Sequence, residues 1–252
     1  MDKFYTYIGN DGFGSQYQKI VETYIHCKKN HMQFAYTPLN IVEHNYDNDI
    51  EYNNKLENLM NLKNNIINVD KIVADVERLD YIRNKIKNYF GENIDDYCES
   101  QHMDFIKNCF WQNKNRNYFD NNKLNIAVHI RRENAHDILF GGAGPRATTP
   151  NSYYLKIMNS IREKYNHNGN NKELLFHIYS QGDITQFEEL VSDDVKFYLN
   201  YDIIESFIGM VSADVFIMSP SSLSYVAAMI SDGEVYYKKF WHNPRKNWIV
   251  SG

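Results

Sequence analysis

Two arginines stand side by side in the run His129-Ile130-Arg131-Arg132-Glu133-Asn134-Ala135-His136-Asp137. They follow residues 125–130 (NIAVHI), an apolar stretch with the composition of a strand. Two guanidinium groups at a strand end cannot both be buried unpaired, because an isolated buried charge is prohibitively costly. They call for an anion. The planar fork of each guanidinium matches phosphate oxygens two at a time, at roughly 1.5–3 kcal/mol per charge-assisted hydrogen bond. The alternative use is local: one arginine pairs with Glu133 or Asp137 and pins the loop. A strand's carboxyl end is where open parallel sheets bind ligands, and that placement favours phosphate.

Three further segments carry chemistry-bearing residues. Ser219-Pro220-Ser221-Ser222-Leu223-Ser224 places hydroxyls where an apolar strand hands over to a helix, and backbone N–H groups at such a helix start suit an anion. Capping accounts for one serine and not for the cluster, so Ser222 and, less decisively, Ser221 are anion-binding candidates. Tyr179-Ser180-Gln181-Gly182-Asp183 ends another strand, where Asp183 is either a ligand contact or a helix cap. Gly12-Phe13-Gly14-Ser15-Gln16 is a fragment of a dinucleotide fingerprint without its third glycine or its later acidic partner, which argues against NAD. No Gly-Lys-Ser/Thr follows the glycines at 141–144, so a Walker loop is excluded. Asp47-Asn48-Asp49 has the Asp-x-Asp pattern of a manganese site, in a polar stretch with no strong strand before it.

The elements that must position these residues alternate through the second half. Strands are expected at residues 125–131, 174–180, 195–199, 215–219 and 234–237, with helices at 152–165, 185–191, 203–212 and 222–231 between them. Strict alternation implies a parallel sheet with helices on its faces. The first half opens with a strand at 4–8, a glycine-rich turn, a helix at 15–29 and a strand at 32–36. Long helices are expected at 51–64, 70–90 and 95–113, the second marked by Ile72, Val76, Leu79, Ile82 and Ile86 at helical spacing. The expected hinge lies in the polar stretch 112–122. This divides the chain into two lobes, residues 1–122 and residues 123–252.

Whole-chain figures exclude other classes. A net charge of −5 over 252 residues, 27 Lys+Arg against 32 Asp+Glu, leaves no surplus for a nucleic-acid partner. Three cysteines (Cys27, Cys98, Cys109) are too few and too scattered for a disulfide framework or zinc site, and fit a reducing compartment. The most apolar stretch, 203–230, is broken by Glu205, Asp214 and Pro220, so no membrane span is expected, and the opening residues show no secretory signal pattern. A cytoplasmic protein is therefore expected. The aromatic and basic stretch from Tyr236 to His242 reads as packing more than as a sugar-stacking surface.

In combination these segments resemble the fucosyltransferase superfamily, the inverting, metal-independent enzymes of glycosyltransferase-B fold. Residues 12–16 resemble its N-terminal Gly-x-Gly-Asn-Gln turn, with Ser15 in place of Asn. Residues 129–137 resemble its His-x-Arg-Arg-Gly-Asp motif, in the bacterial α1,6-type form with an Asn and a later Asp-Ile. Residues 214–228 (DVFIMSPSSLSYVAA) resemble its third motif. The resemblance implies an α/β chain of two Rossmann-like lobes, a complete C-terminal nucleotide-sugar-binding lobe at 123–252 and a smaller, helix-rich N-terminal acceptor-side lobe at 1–122. It implies a fucosyltransferase-like activity using GDP-fucose or another GDP- or UDP-sugar, a glycan or glycoprotein acceptor, and no metal or other cofactor. Arg131 and Arg132 would hold the diphosphate and stabilise the departing nucleotide, with His129, Gly14, Asp183, Ser221 and Ser222 also on the donor. Asp137 is the first candidate for the base, with Glu133 and His136 as rivals on the same loop. The family's Gly-Asp is here Glu133-Asn134, which leaves open a binding module that has lost catalysis.

Overall fold

A computed structural model describes residues 3–45, 49–72, 76–78, 90–133, 149–167 and 172–251. The chain forms two compact units, one up to Asn115 and the other from Arg116 onward.

In the first unit a three-stranded parallel sheet has the order β2-β1-β3, with β1 at Phe4–Thr6, β2 at Gln33–Phe34 and β3 at Val76–Arg78. Between β1 and β2 runs α1 (Phe13–Lys29), whose face of Tyr17, Ile20, Val21, Tyr24 and Ile25 is buried. Next come α2 (Ile50–Met60), α3 (Ile94–Cys98) and α4 (Gln101–Trp111). The buried Glu57 of α2 accepts from the Tyr36 hydroxyl at 3.0 and 2.9 Å and from Leu39 N at 2.6 Å, fastening the segment after β2.

Two expectations are corrected here. Residues 70–90 are not one helix: Val69–Lys71 is a single 3₁₀ turn, and β3 pairs with β1 through Phe4↔Val76, Tyr5↔Glu77 and Thr6↔Arg78. Pairing to a distant strand overrides the helical spacing, a signal that Val76 with its β-branch fits equally well. The expected helix at 95–113 is two, because Ser100 interrupts it and accepts from Met103 N as the cap of α4.

The second unit is built on a six-stranded parallel sheet of order β6-β5-β4-β7-β8-β9. Its strands are β4 (Lys123–Ile130), β5 (Glu173–Ser180), β6 (Val195–Leu199), β7 (Val215–Ile217), β8 (Glu234–Lys238) and β9 (Ile249–Ser251). Its helices are α5 (Asn151–His167), α6 (Ile203–Ser212) and α7 (Ser222–Ile230). Between β5 and β6 lies a 3₁₀ segment, Ile184–Leu190. The central β4 is buried along nearly its whole length, as a parallel strand covered on both faces must be. Its Leu124, Ile126, Val128 and Ile130 pack with Tyr154, Ile157, Met158 and Ile161 of α5 on one face. Each such fully buried aliphatic side chain contributes roughly 1.5–3 kcal/mol. The alternate residues Asn125 and His129 point to the opposite face, where His129 meets Ser224 of α7.

The strand order is the feature that makes a site. From β4 the chain builds outward through β5 to β6, then crosses back to place β7 on the other side of β4, and continues to β8 and β9. The order therefore reverses at β4, between β4 and β7, and the carboxyl ends of these two strands mark the topological switch point of an open parallel sheet. The described helices include none long and apolar enough to cross a membrane.

Candidate functional site

The two segments that flank the switch point are those with the unusual chemistry. Ile130 ends β4, and Arg131 and Arg132 follow at its carboxyl end. Arg131 Nη1 donates to Gln181 Oε1 at 3.1 Å and to the Arg132 carbonyl at 2.5 Å, which directs it toward the end of β5. Arg132 also leans to the β5 side, over the segment that follows Gln181. Its Nη1 donates to the Thr149 carbonyl at 2.9 Å, and its Nη2 to Asn151 Oδ1 at 2.6 Å. Its guanidinium carbon lies 5.6 Å from the Phe187 ring centroid, and burial pulls its pKa below the usual arginine value, opposed by Tyr154. Amide and carbonyl oxygens accept from both arginines in these contacts and fix their positions. Glu133 is exposed beside them.

Beside β4, β7 leads into Ser219-Pro220-Ser221 and α7. Ser221 caps this helix: its hydroxyl accepts from Ser224 N at 3.1 Å. Ser222, the first helical residue, is half-buried. Behind the turn lies a buried knot. His129 Nδ1 is 2.5 Å from Ser224 Oγ and 3.1 Å from Ser219 Oγ, and Ser219 N donates to Ser224 Oγ at 3.2 Å. This ties the ends of β4 and β7 together from beneath and sets the serine turn against the arginine strand. Burial, assisted by Arg131, pushes the His129 pKa down to about 3, so its imidazole is neutral. His177 on β5 is likewise neutral, pushed down to about 4 by burial and by Lys196 and Lys123, with Nε2 3.1 Å from Asn125 Oδ1.

These two depressed values predict an acid-labile fold. A histidine whose native pKa lies below its unfolded value of about 6.5 contributes stability that is whole above that value and is lost as pH falls through it. Each should cost about 2 kcal/mol of stability by pH 5. The melting temperature should fall between pH 7 and pH 5, and His177→Phe should flatten that dependence; equal slopes in both proteins would contradict the assignment.

The remaining candidates are placed as follows. Asp183 is exposed and caps the 3₁₀ segment: it accepts from Thr185 N at 3.0 Å and Thr185 Oγ1 at 2.8 Å, while Gln186 closes a capping box. Those bonds hold its carboxyl below the usual carboxylate range. The preceding Gly182 has φ +115°, a conformation that glycine adopts freely. Gly14 is buried in the first turn of α1 in the other unit, where Asp11 accepts from Ser15 Oγ and pairs with Lys19. Asp49 caps α2 through Glu51 N at 2.8 Å, and Asp47 and Asn48 lie outside the described residues. Asp137, His136 and the glycines at 141–144 also lie outside them.

Sequence reasoning passed over Gln181, Thr149 and Asn151, which orient the arginines. Asn151 starts α5 and its Nδ2 donates to the Gln186 carbonyl at 2.7 Å, so it joins Arg132 to the capped segment after β5. An Asn beside a helix start was the visible signal, and it reads equally as a cap.

No family model matches the chain, and no curated protein matches it. Among solved structures it is similar to a mutant of Arabidopsis thaliana FUT1 in complex with GDP, at a TM-score of 0.39 and 8% identity, over 98% of this chain and 72% of that one.

Proposed function

We propose that the chain is an inverting, metal-independent glycosyltransferase that moves a sugar, fucose from GDP-fucose in the first instance, to a hydroxyl of a glycan or glycoprotein. One observation carries this reading. The adjacent arginines and the serine turn at the start of α7 follow the carboxyl ends of the neighbouring parallel strands β4 and β7, where the sheet reverses its order. Cations on one side and helix N–H groups on the other suit a diphosphate.

The chemistry follows from charge. When the bond between the anomeric carbon and the diphosphate breaks, negative charge grows on the phosphate oxygens. Two fixed guanidinium groups stabilise that charge more than the neutralised ground state, which lowers the barrier. The neutral His129 adds no charge; it holds the serine turn in register. The attacking hydroxyl needs a group to accept its proton, the role given to Asp137, with Glu133 and His136 as the alternatives on the same loop. Within this architecture another GDP- or UDP-sugar would use the same diphosphate grip.

A thermal-shift screen against GDP, UDP, GDP-fucose, GDP-mannose and UDP-sugars tests the donor, since a ligand of the native state raises its melting temperature. The responding donor is then assayed for transfer or hydrolysis in EDTA. Activity that survives the chelator supports the reading. A requirement for manganese would overturn it, and nucleotide binding with no turnover, unchanged in Asp137→Asn, would assign the chain as a binding module.

A further inference from the structure

Gln181, in the turn after β5, accepts from Arg131 Nη1 at 3.1 Å, so the place of that turn sets the place of the guanidinium. What sets the turn lies at the end of the neighbouring β6. The β5–β6 ladder closes with Ser180↔Leu199, and Asn200 N still donates to the Ser180 carbonyl at 2.9 Å. Beyond that rung the partner of β5 is a side chain. Gly182 N donates to Asn200 Oδ1 at 3.0 Å, and Asn200 Nδ2 donates to the Gly182 carbonyl at 3.0 Å. One amide therefore meets both backbone groups of Gly182, as the backbone of an adjacent strand would, and the pattern fixes which end of the amide is oxygen.

The pairing is particular to asparagine. Asn200 reaches Gly182 from a left-handed backbone, φ +52°, a region that asparagine enters far more readily than most side chains. Aspartate shares that tolerance and lacks the donor for the Gly182 carbonyl. The far end of the same segment is fastened separately. Gln186 Oε1 accepts from Asp183 N at 3.1 Å, and the Gln186 carbonyl accepts from Asn151, the residue that holds Arg132. Loss of the Asn200 amide therefore falls on Gln181 and Arg131. Asn200 is exposed, and two hydrogen bonds made within reach of water add only modestly to global stability. What they supply is the position of the turn.

We infer that Asn200 is a positioning residue of the diphosphate site: its amide clamps Gly182, keeps Gln181 in reach of Arg131 and so fixes the guanidinium that meets the phosphate oxygens. This role rests on the diphosphate reading of Arg131. The plain alternative is an asparagine that only supplies a left-handed backbone where a strand ends. Glycine separates the two, because it adopts φ +52° freely and carries no amide, so it preserves the backbone and removes the clamp.

Calorimetric titration of the whole chain with GDP and with inorganic pyrophosphate tests the role, beside the melting temperature of each variant. Asn200→Gly should weaken both ligands about fivefold and leave the free protein melting within roughly 3 °C of the parent. In a Gln181→Ala background the same substitution should cost no further affinity, because the clamp acts through Gln181. A purely structural asparagine would leave affinity alone in either background. Parent affinity in Asn200→Gly overturns the role, and so do losses at positions 181 and 200 that simply multiply. Pyrophosphate binding that shows the coupling, without binding of GDP, leaves the clamp standing and overturns the glycosyltransferase reading instead. If neither ligand binds the parent, both fall.

Discussion

Arg131→Ala is expected to abolish the thermal stabilisation that a nucleoside diphosphate confers, while barely changing the melting temperature of the free protein. A ligand at a hundred times its Kd adds about 2.7 kcal/mol, a rise of roughly 5–10 °C for a chain of this size. Arg131 donates to the Arg132 carbonyl and to Gln181, half-buried residues whose acceptors water can reach once the guanidinium is removed. Arg132→Ala should differ. It deprives the Thr149 carbonyl and the Asn151 side chain of a charged donor, and with allowance for partial exposure should cost about 2 kcal/mol, or roughly 4–8 °C, besides the nucleotide response. Lysine at either position keeps the charge and loses the fork, so partial binding should return. Differential scanning fluorimetry with and without GDP reads both quantities at once. A nucleotide response that survives Arg131→Ala would sink the diphosphate assignment.

That contrast between two neighbouring arginines shows where reading the sequence stops. The second unit was legible because its strands are short, apolar and separated by amphipathic segments: residues 195–199 and 203–212 form the strand and helix expected of them. The pair of arginines at a strand end was legible for the same reason. Their separate anchors were not, because they depend on Gln181 and Thr149, residues brought close only by the β4–β5 ladder and the start of α5. The switch point was also hidden. It requires knowing that β7 joins β4 rather than β6, and Ile126↔Val215 pairs residues far apart in the chain. Short strands are the hardest to see: β9 went unanticipated, and β3 was concealed inside a helical spacing. Ser219 and Ser224 were visible as a hydroxyl cluster, while their bond to His129 belongs to the packing of α7 against β4.

The packing of α6 against β5 leads to the second large effect. Among the described residues nothing pairs with the hydroxyl of Tyr179, which is buried, and its ring stacks on Tyr198 with centroids 5.0 Å apart. A β-carbon added at Gly209 would lie 2.0 Å from that hydroxyl oxygen and 2.6 Å from the carbon that bears it. The ring cannot yield without leaving Tyr198, so Gly209→Ala should destabilise by about 3 kcal/mol, the upper range for overpacking. Tyr179→Phe should have the opposite sign. It removes an unsatisfied buried hydroxyl and should raise stability by about 1 kcal/mol, or roughly 2–4 °C. Combined, the two should be non-additive: phenylalanine relieves the closest contact but leaves the ring carbon at 2.6 Å, so rescue should be partial, with a coupling near 1 kcal/mol. Urea denaturation of the four proteins measures the cycle. Full additivity would mean that the ring moves aside, and with it the end of β5. Because Gln181 follows Tyr179 by two residues and accepts from Arg131, that outcome should also appear as a smaller nucleotide response in Gly209→Ala than in the parent.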